Sequence, residues 1–374
     1  MKTKGKASLT ELGILGILGI LIFCMLCAPA CAGRYDYNGY SLETIKNGTV
    51  KGDVYISYGD HAGFTDNLYP TSYYRDNRLV TNFTNVPTSG IQWAMLQVGV
   101  YGANTSRSGW MNASLSNSSA TELLEGNKWL NVTPPSNLAP YNVINASGTG
   151  VYLVDYDVKS ALGNLSSSNI TATVNAWPDT TWGTNYKLDS RIYGAVLIVV
   201  YESGDTYTQY WINDGNLNLH KDGNVWINGT YVAVSDFDAN ITRFNGPVND
   251  TLNNFTLTVG YFAGDANQKD YLYFNAPNRT DSPYNLSNPA WNLTNYTSYL
   301  VGTNVANSTG NTKKYFDLKS FNVTGLDKPE NNYAIFWRGH DSNNATIWDP
   351  AWPGVNPETE SYVSPFLAVL KIKP

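Results

Sequence analysis

The chain has 374 residues, enough for two ordinary domains each with its own core. Only 14% of the residues are charged, the net charge is −6 and the pI is near 5.1. With no basic stripe anywhere, this excludes binding to a phosphate backbone and hence nucleic-acid partners. A content of 42% hydrophobic and 13% aromatic residues excludes a disordered chain.

The N-terminus carries Lys2, Lys4 and Lys6, an apolar run from Leu12 to Cys27, then Ala28, Ala30 and Ala32. This is the layout of a secretory signal over residues 1–32, with cleavage after Ala30 or Ala32. Two alternatives stand beside it: a lipid on Cys31, or an uncleaved anchor in a membrane. Cys24, Cys27 and Cys31 all fall in this segment, so an exported mature chain is expected to hold no disulfide. No later stretch is long enough to span a bilayer as a helix. The expected location is extracellular, at the cell surface.

From Gly33 to Lys46 the sequence is polar and reads as a linker or a first edge strand. Short β-type runs follow: GDVYISYGD (Gly52 to Asp60), IQWAMLQVGVYG (Ile91 to Gly102), GVYLVDYDVKSALG (Gly150 to Gly163) and NITATVNAW (Asn169 to Trp177). Gly, Asn and Pro separate them, the pattern of an antiparallel sandwich. SATELLEG (Ser119 to Gly126) is the best helix candidate, two turns at most. RIYGAVLIVVYE, Arg191 to Glu202, is the longest apolar run after the N-terminus. Its β-branched content reads as a strand buried on both faces in the middle of a sheet. Ser203, Gly204 and Asp205 then mark a turn and the expected boundary.

The second half repeats the order of the first. LQVGVYGAN from Leu96 matches LTVGYFAGD from Leu257, placing Gly99 on Gly260 and Tyr101 on Phe262. YDVKSAL from Tyr156 matches FDLKSF from Phe316, ITATVNAW matches YAIFWRGH from Tyr333, and RIYGAVLIVVY matches the C-terminal YVSPFLAVLKI. Asp157 and Asp317, matched in this way, are both expected to cap a helical turn. The expected fold is all-β: two tandem antiparallel β-sandwiches of jelly-roll or Ig-like type, over 33–203 and 204–374. Loops at 103–149 and 275–312 carry most of the difference between the copies.

RIYGAVLIVVYE followed by YWINDG (Tyr210 to Gly215), with DYDVKSAL upstream, is similar to an uncharacterised family of methanogen cell-surface proteins, domain of unknown function 3344. The resemblance covers nearly all of the chain after the signal. It implies a fold family, an archaeal origin and a surface location, and it supplies no catalytic residue.

Sequons of the form Asn-x-Ser/Thr occur about twenty times, well above what the Asn, Ser and Thr content would give at random. Among them are Asn47, Asn82, Asn104, Asn112, Asn117, Asn131, Asn145, Asn228, Asn254, Asn292, Asn295 and Asn344, so a glycan-coated exterior is expected. Trp177, Trp182, Trp348 and Trp352 sit beside Pro, Gly and Asp in expected loops and are candidates for a glycan-stacking platform. Trp93, Trp226 and Trp337 lie in strand patterns and are expected in the core. Oxygen-rich turns at Asp214, Asn216, Asn218, Asp236 and Asp238 are candidate Ca²⁺ ligands, although turns favour the same residues for their own geometry. His61, His220 and His340 are too scattered for a zinc site, and no nucleophile or phosphate-loop motif is present. Three readings follow in order: a structural or adhesive envelope protein that performs no catalysis, a carbohydrate-binding module, and a polysaccharide-active enzyme. No cofactor is expected apart from calcium. The expected partners are other envelope proteins, copies of the chain itself, or glycans.

Overall fold

The computed structural model describes residues 34–36, 38–62, 75–103, 107–131, 145–147, 150–181, 187–220, 223–227, 230–234, 237, 239–264, 270–276, 297–307, 315–338 and 362–374. These are nearly all strand. In chain order they form β1 (Arg34–Asp36), β2 (Gly39–Ser57), β3 (Asn77–Phe83), β4 (Ile91–Tyr101), β5 (Gly109–Ser116), β6 (Thr121–Leu130), β7 (Asn145–Ser147) and β8 (Val151–Asp157). A short helix α1 (Lys159–Leu165) leads to β9 (Ile170–Pro178), β10 (Arg191–Leu217), β11 (Leu219–His220), β12 (Gly223–Ile227), β13 (Thr230–Val234) and β14 (Ala239–Pro247). The chain ends with β15 (Asn254–Phe262), β16 (Tyr271–Phe274), β17 (Leu300–Thr303), β18 (Phe316–Asn322), β19 (Glu330–Trp337) and β20 (Tyr362–Lys373). No helix among the described residues is long and apolar enough to cross a membrane.

Strand β10 organises the molecule. Its first part, Arg191 to Tyr201, pairs with β4 on one edge and with the C-terminal end of β2 on the other. Ile192, Ala195, Leu197 and Val199 point into one apolar cluster, and Tyr193, Val196, Ile198 and Val200 into another. Burial of both faces is why this stretch has no polar alternation. Beyond Glu202 the strand continues to Leu217, still paired with β2 but now with β20 on its other edge. The turn residues Ser203, Gly204 and Asp205 are therefore an insertion within one strand. Glu202 stands opposite Gly52 and Tyr207 opposite Lys51, so residues 203–206 bulge out, with Gly204 at φ +66°.

The two ends of β10 sit in sheets with the same path. Around the first part the order is β2-β10-β4-β8, facing a second sheet β3-β9-β5-β6; around the later part it is β10-β20-β15-β18, facing β14-β19-β16-β17. One apolar cluster fills the space between each facing pair, and a third lies between the two β10-bearing sheets. Sheets and cores thus alternate through the molecule, and the third cluster forms a seam between the halves.

Several expectations change. SATELLEG runs into strand β6 from Thr121 onward, with Leu124 buried and Leu123 65% exposed, an alternation fixed by pairing with β5. Pairing and burial override the local helix propensity. Positive φ at Glu125 and Gly126 marks a bulge there. For the polar stretch before Lys46 the edge-strand alternative holds from Gly39 onward: Gly39 to Lys51 runs along β10 from Leu217 to Tyr207. Asp157 stands one residue before the N-cap position, Val158, and its Oδ1 accepts from the Lys159 N–H at the start of α1 at 3.0 Å. Asp317 is instead the second residue of strand β18, which pairs with β15 through Asn322, and its carboxylate meets Lys319 at 3.5 Å.

Candidate functional site

Sheet β3-β9-β5-β6 buries one face in its core and leaves the other toward solvent. The sequence of β5, GWMNASLS, alternates strictly, so Met111, Ala113 and Leu115 point inward while Trp110, Asn112, Ser114 and Ser116 point outward. Cross-strand register extends each outward residue into a row. Trp110 lies opposite Trp177 on β9 and opposite Trp129 on β6. The next row is Arg78, Asn175 and Asn112, with Asn127 beyond. Below it lie Val80, Thr173, Ser114 and Leu123, then Asn82, Thr171, Ser116 and Thr121. The face therefore passes from indole to amide to hydroxyl.

This arrangement is held rigidly. Trp129 is 1% exposed, and its ring centroid lies 4.6 Å from that of Trp110, so a buried indole supports a half-exposed one. Asn175 Nδ2 donates to Asn112 Oδ1 at 2.9 Å, and Asn112 Nδ2 donates to Asn127 Oδ1 at 3.0 Å. These bonds orient the amides of the row, and each amide group keeps further donor and acceptor capacity. Thr171 Oγ1 donates to Asn82 Oδ1 at 2.7 Å in the last row.

The seam differs at its two ends. At one end it is aromatic: Phe262 stacks on Phe366 at 3.9 Å with 8° between planes and on Tyr193 at 5.3 Å. Gly99 and Gly260, matched by sequence between the halves, both face it. A Cβ at Gly99 would lie 2.3 Å from Phe262 and one at Gly260 2.6 Å from Phe366. Each glycine makes room for a ring pressed onto its strand. Beside the stack, Gln97 Nε2 donates to Asp214 Oδ2 at 3.5 Å, and Asp155 adjoins both. Burial, then the charge of Asp214, push the Asp155 carboxyl well above the usual carboxylate range. Burial raises Asp214 as well, and Glu43 adds to it. Burial of both carboxyls beside one another thus disfavours charging the pair. At the other end the seam opens as a cleft of about 280 Å³ lined by Ile56, Ser57, Tyr58, Thr256, Thr258, Leu318, Ser320 and Lys371.

The residues singled out by sequence divide as follows. Trp177 joins the indole row; Trp182, Trp348 and Trp352 lie outside the described residues. Trp337 is buried and Trp93 half-buried, on opposite sides of different sheets. Asp214, Asn216 and Asn218 are not on a loop. They belong to β10 and its continuation and are buried, Asn216 Nδ2 donating to the Val151 carbonyl at 2.9 Å. Asp236 and Asp238 lie outside the described residues, and no group of three or more acidic, His or Cys side chains suited to a metal occurs among those described. Asn47 and Asn254 are exposed on strands. Asn82, Asn112 and Asn117 have their amides engaged in hydrogen bonds, and Asn131 is 8% exposed. Asn145 belongs to β7, whereas Asn104, Asn228, Asn292, Asn295 and Asn344 lie outside the described residues. Sequence reasoning missed Trp110, Trp129 and the amide row. The alternation in GWMNASLS carried the signal for Trp110 and Asn112, but their neighbours come from strands distant in the chain.

A family model described as "Protein of unknown function (DUF3344)" matches residues 36–373. No curated protein matches the chain. Among solved structures, the chain is similar to the N-glycanase F known as PNGase F, at 10% identity over 87% of this chain and 95% of that one, with a TM-score of 0.23. It is also similar to the ANX2 ectodomain from Arabidopsis thaliana, at 9% identity over 89% and 90%, TM-score 0.22. A third is the tandem CBM51 modules of a family 98 glycoside hydrolase from Streptococcus pneumoniae, at 8% identity over 88% and 99%, TM-score 0.19.

Proposed function

We propose that this chain, which belongs to the DUF3344 family, is an exported cell-surface protein that binds glycans through the outer face of sheet β3-β9-β5-β6 and performs no turnover. The observation that carries the reading is the half-buried Trp110–Trp177 pair lying beside the amide row of Asn175, Asn112 and Asn127. A sugar ring presents apolar C–H groups on its face and hydroxyls at its rim. Indole surface suits the first, and amides that can both donate and accept suit the second. Trp129 and the amide hydrogen bonds pre-organise the face, which lowers the entropy lost when a ligand docks.

In this reading the two halves are tandem jelly-roll sandwiches sharing β10, and the protein is an adhesive component of an archaeal, methanogen envelope. Residues 1–32 direct export, and Asn47 and Asn254 are the preferred glycan acceptors because both are exposed on strands. Contact with copies of the chain or with other envelope proteins would use sheet edges other than that of β10, which Gly39 to Lys51 already occupies. The test is a glycan screen of the folded protein followed by titration, with tryptophan fluorescence as readout. The Trp110→Ala/Trp177→Ala double variant should lose binding by roughly a hundredfold, since each lost aromatic contact is worth about 1–2 kcal/mol. Equal binding by the wild type and this folded variant would refute the assignment of the face.

A further inference from the structure

The open end of the seam has a chemistry of its own. Its walls come from both halves: Ser57 and Tyr58 follow from β2, Thr256 and Thr258 lie on β15, Ser320 on β18 and Lys371 on β20. Sites for drug-sized ligands run about 300–1,000 Å³, so a cleft of about 280 Å³ suits a single ring. Five of the eight lining residues carry hydroxyls, while Ile56 and Leu318 supply apolar wall. Thr258 Oγ1 and Ser320 Oγ are 2.8 Å apart, so one donates to the other and the pair keeps one O–H and free lone pairs.

The charge on the wall is defined by three groups. Asp53 Oδ2 meets Lys373 Nζ at 2.6 Å, and Asp53 Oδ1 meets Lys371 Nζ at 3.4 Å. One carboxylate set against two ammonium groups leaves one net positive charge. Lys371 also donates to the Val54 carbonyl at 3.1 Å. An ammonium carries three donors; Asp53 and Val54 engage two of them, and Lys371 lines the cleft. Burial favours loss of the Lys371 proton, opposed by Asp53 and reinforced by Lys373. An anion entering the cleft would restore balance to a cation that its surroundings only half compensate.

We propose that this cleft is a binding site for one sugar ring bearing a carboxylate, a uronic acid, with Lys371 on the carboxylate and the hydroxyls of Thr258, Ser320 and Ser57 on the ring. The site stands apart from the indole face and does not depend on it. The experiment is calorimetric titration of the folded full chain with glucuronate, glucose and acetate. Glucuronate should bind, while glucose and acetate should each bind at least tenfold more weakly, because each lacks one of the two recognised features. Lys371→Met should weaken glucuronate binding roughly tenfold or more, the usual size of one charge-assisted hydrogen bond. Thr258→Val keeps shape and charge and should weaken it several-fold, which keeps the test available if Lys371→Met does not fold. Glucuronate binding that both Lys371→Met and Thr258→Val leave intact would lie elsewhere on the chain and would overturn the assignment to the cleft. Absence of glucuronate binding, equal binding of glucose, or equal binding of acetate would each overturn the proposal, the last by showing an unspecific anion site.

Discussion

The outer faces of sheets β3-β9-β5-β6 and β14-β19-β16-β17 have the same strand path and opposite character. The first exposes amides, hydroxyls and two half-buried indoles. The second gathers Tyr271, Tyr273, Tyr333, Ile335 and Trp337 into a buried cluster, with Trp337 only 5% exposed and its ring 4.9 Å from that of Tyr271. Aromatic residues thus serve as core on one face and as a ready surface on the other. A strand path fixes which residues share a face, and the side chains on that face decide whether it is covered or left available.

Breaking this comparison gives the largest expected effect. Trp337→Ala should cost about 3–5 kcal/mol, the usual penalty for removing a large buried aromatic, whereas Trp177→Ala should cost about 1 kcal/mol or less at its half-exposed position. Urea unfolding of the two variants measures the difference, and similar costs would mean that both faces are covered. Next in size, Gly99→Val would drive a side chain into Phe262 and should cost about 1–3 kcal/mol through overpacking. Its effect should reach both halves, read as faster hydrogen exchange in β15 as well as β4.

A pH experiment sharpens the contrast further. Asp270 accepts from the Val305 and Ala306 N–H groups at 3.1 and 2.9 Å, yet burial outweighs these bonds and pushes its carboxyl up to about 7. A carboxyl raised in this way contributes stability that is complete below its ordinary value of 3.8 and is lost as pH rises through about 7. Asp270→Asn should therefore flatten the stability profile between pH 4 and 7, measured by thermal melting across that range. An unchanged profile would place the titration elsewhere, with the Asp155–Asp214 pair the first alternative, since both are raised in the same direction. The smallest effect belongs to Asn112→Ala. It removes two exposed or half-buried amide bonds and should cost about 1 kcal/mol, while weakening glycan binding several-fold on the indole face.

Legibility in the sequence followed the range of each interaction. RIYGAVLIVVYE announced a doubly buried strand because burial on both faces leaves no room for polar residues, a constraint written at every position. The match of Gly99 to Gly260 was also readable, and the structure supplies its reason in the rings of Phe262 and Phe366. SATELLEG misled because its local preference is helical while its partner β5 lies across a turn. Asp317 misled for a related reason: FDLKSF resembles YDVKSAL, yet pairing with β15 carries it on as strand.

By itself the sequence determined that this protein is built from strands, that its halves share a pattern, and where its most buried strand lies. These are properties of periodicity and composition, which need no knowledge of neighbours. Only the tertiary structure decided that β10 continues past Ser203 to Leu217, that Gly39 to Lys51 lies beside it, and that Asp155 meets Asp214 in the seam. It also decided that Trp110, Trp129 and Trp177 form one row and that Lys371 faces a cleft of hydroxyls. Each of these depends on strand register across long separations. A shift of one residue would turn every side chain to the opposite face, so the surface chemistry exists only once the pairing is set.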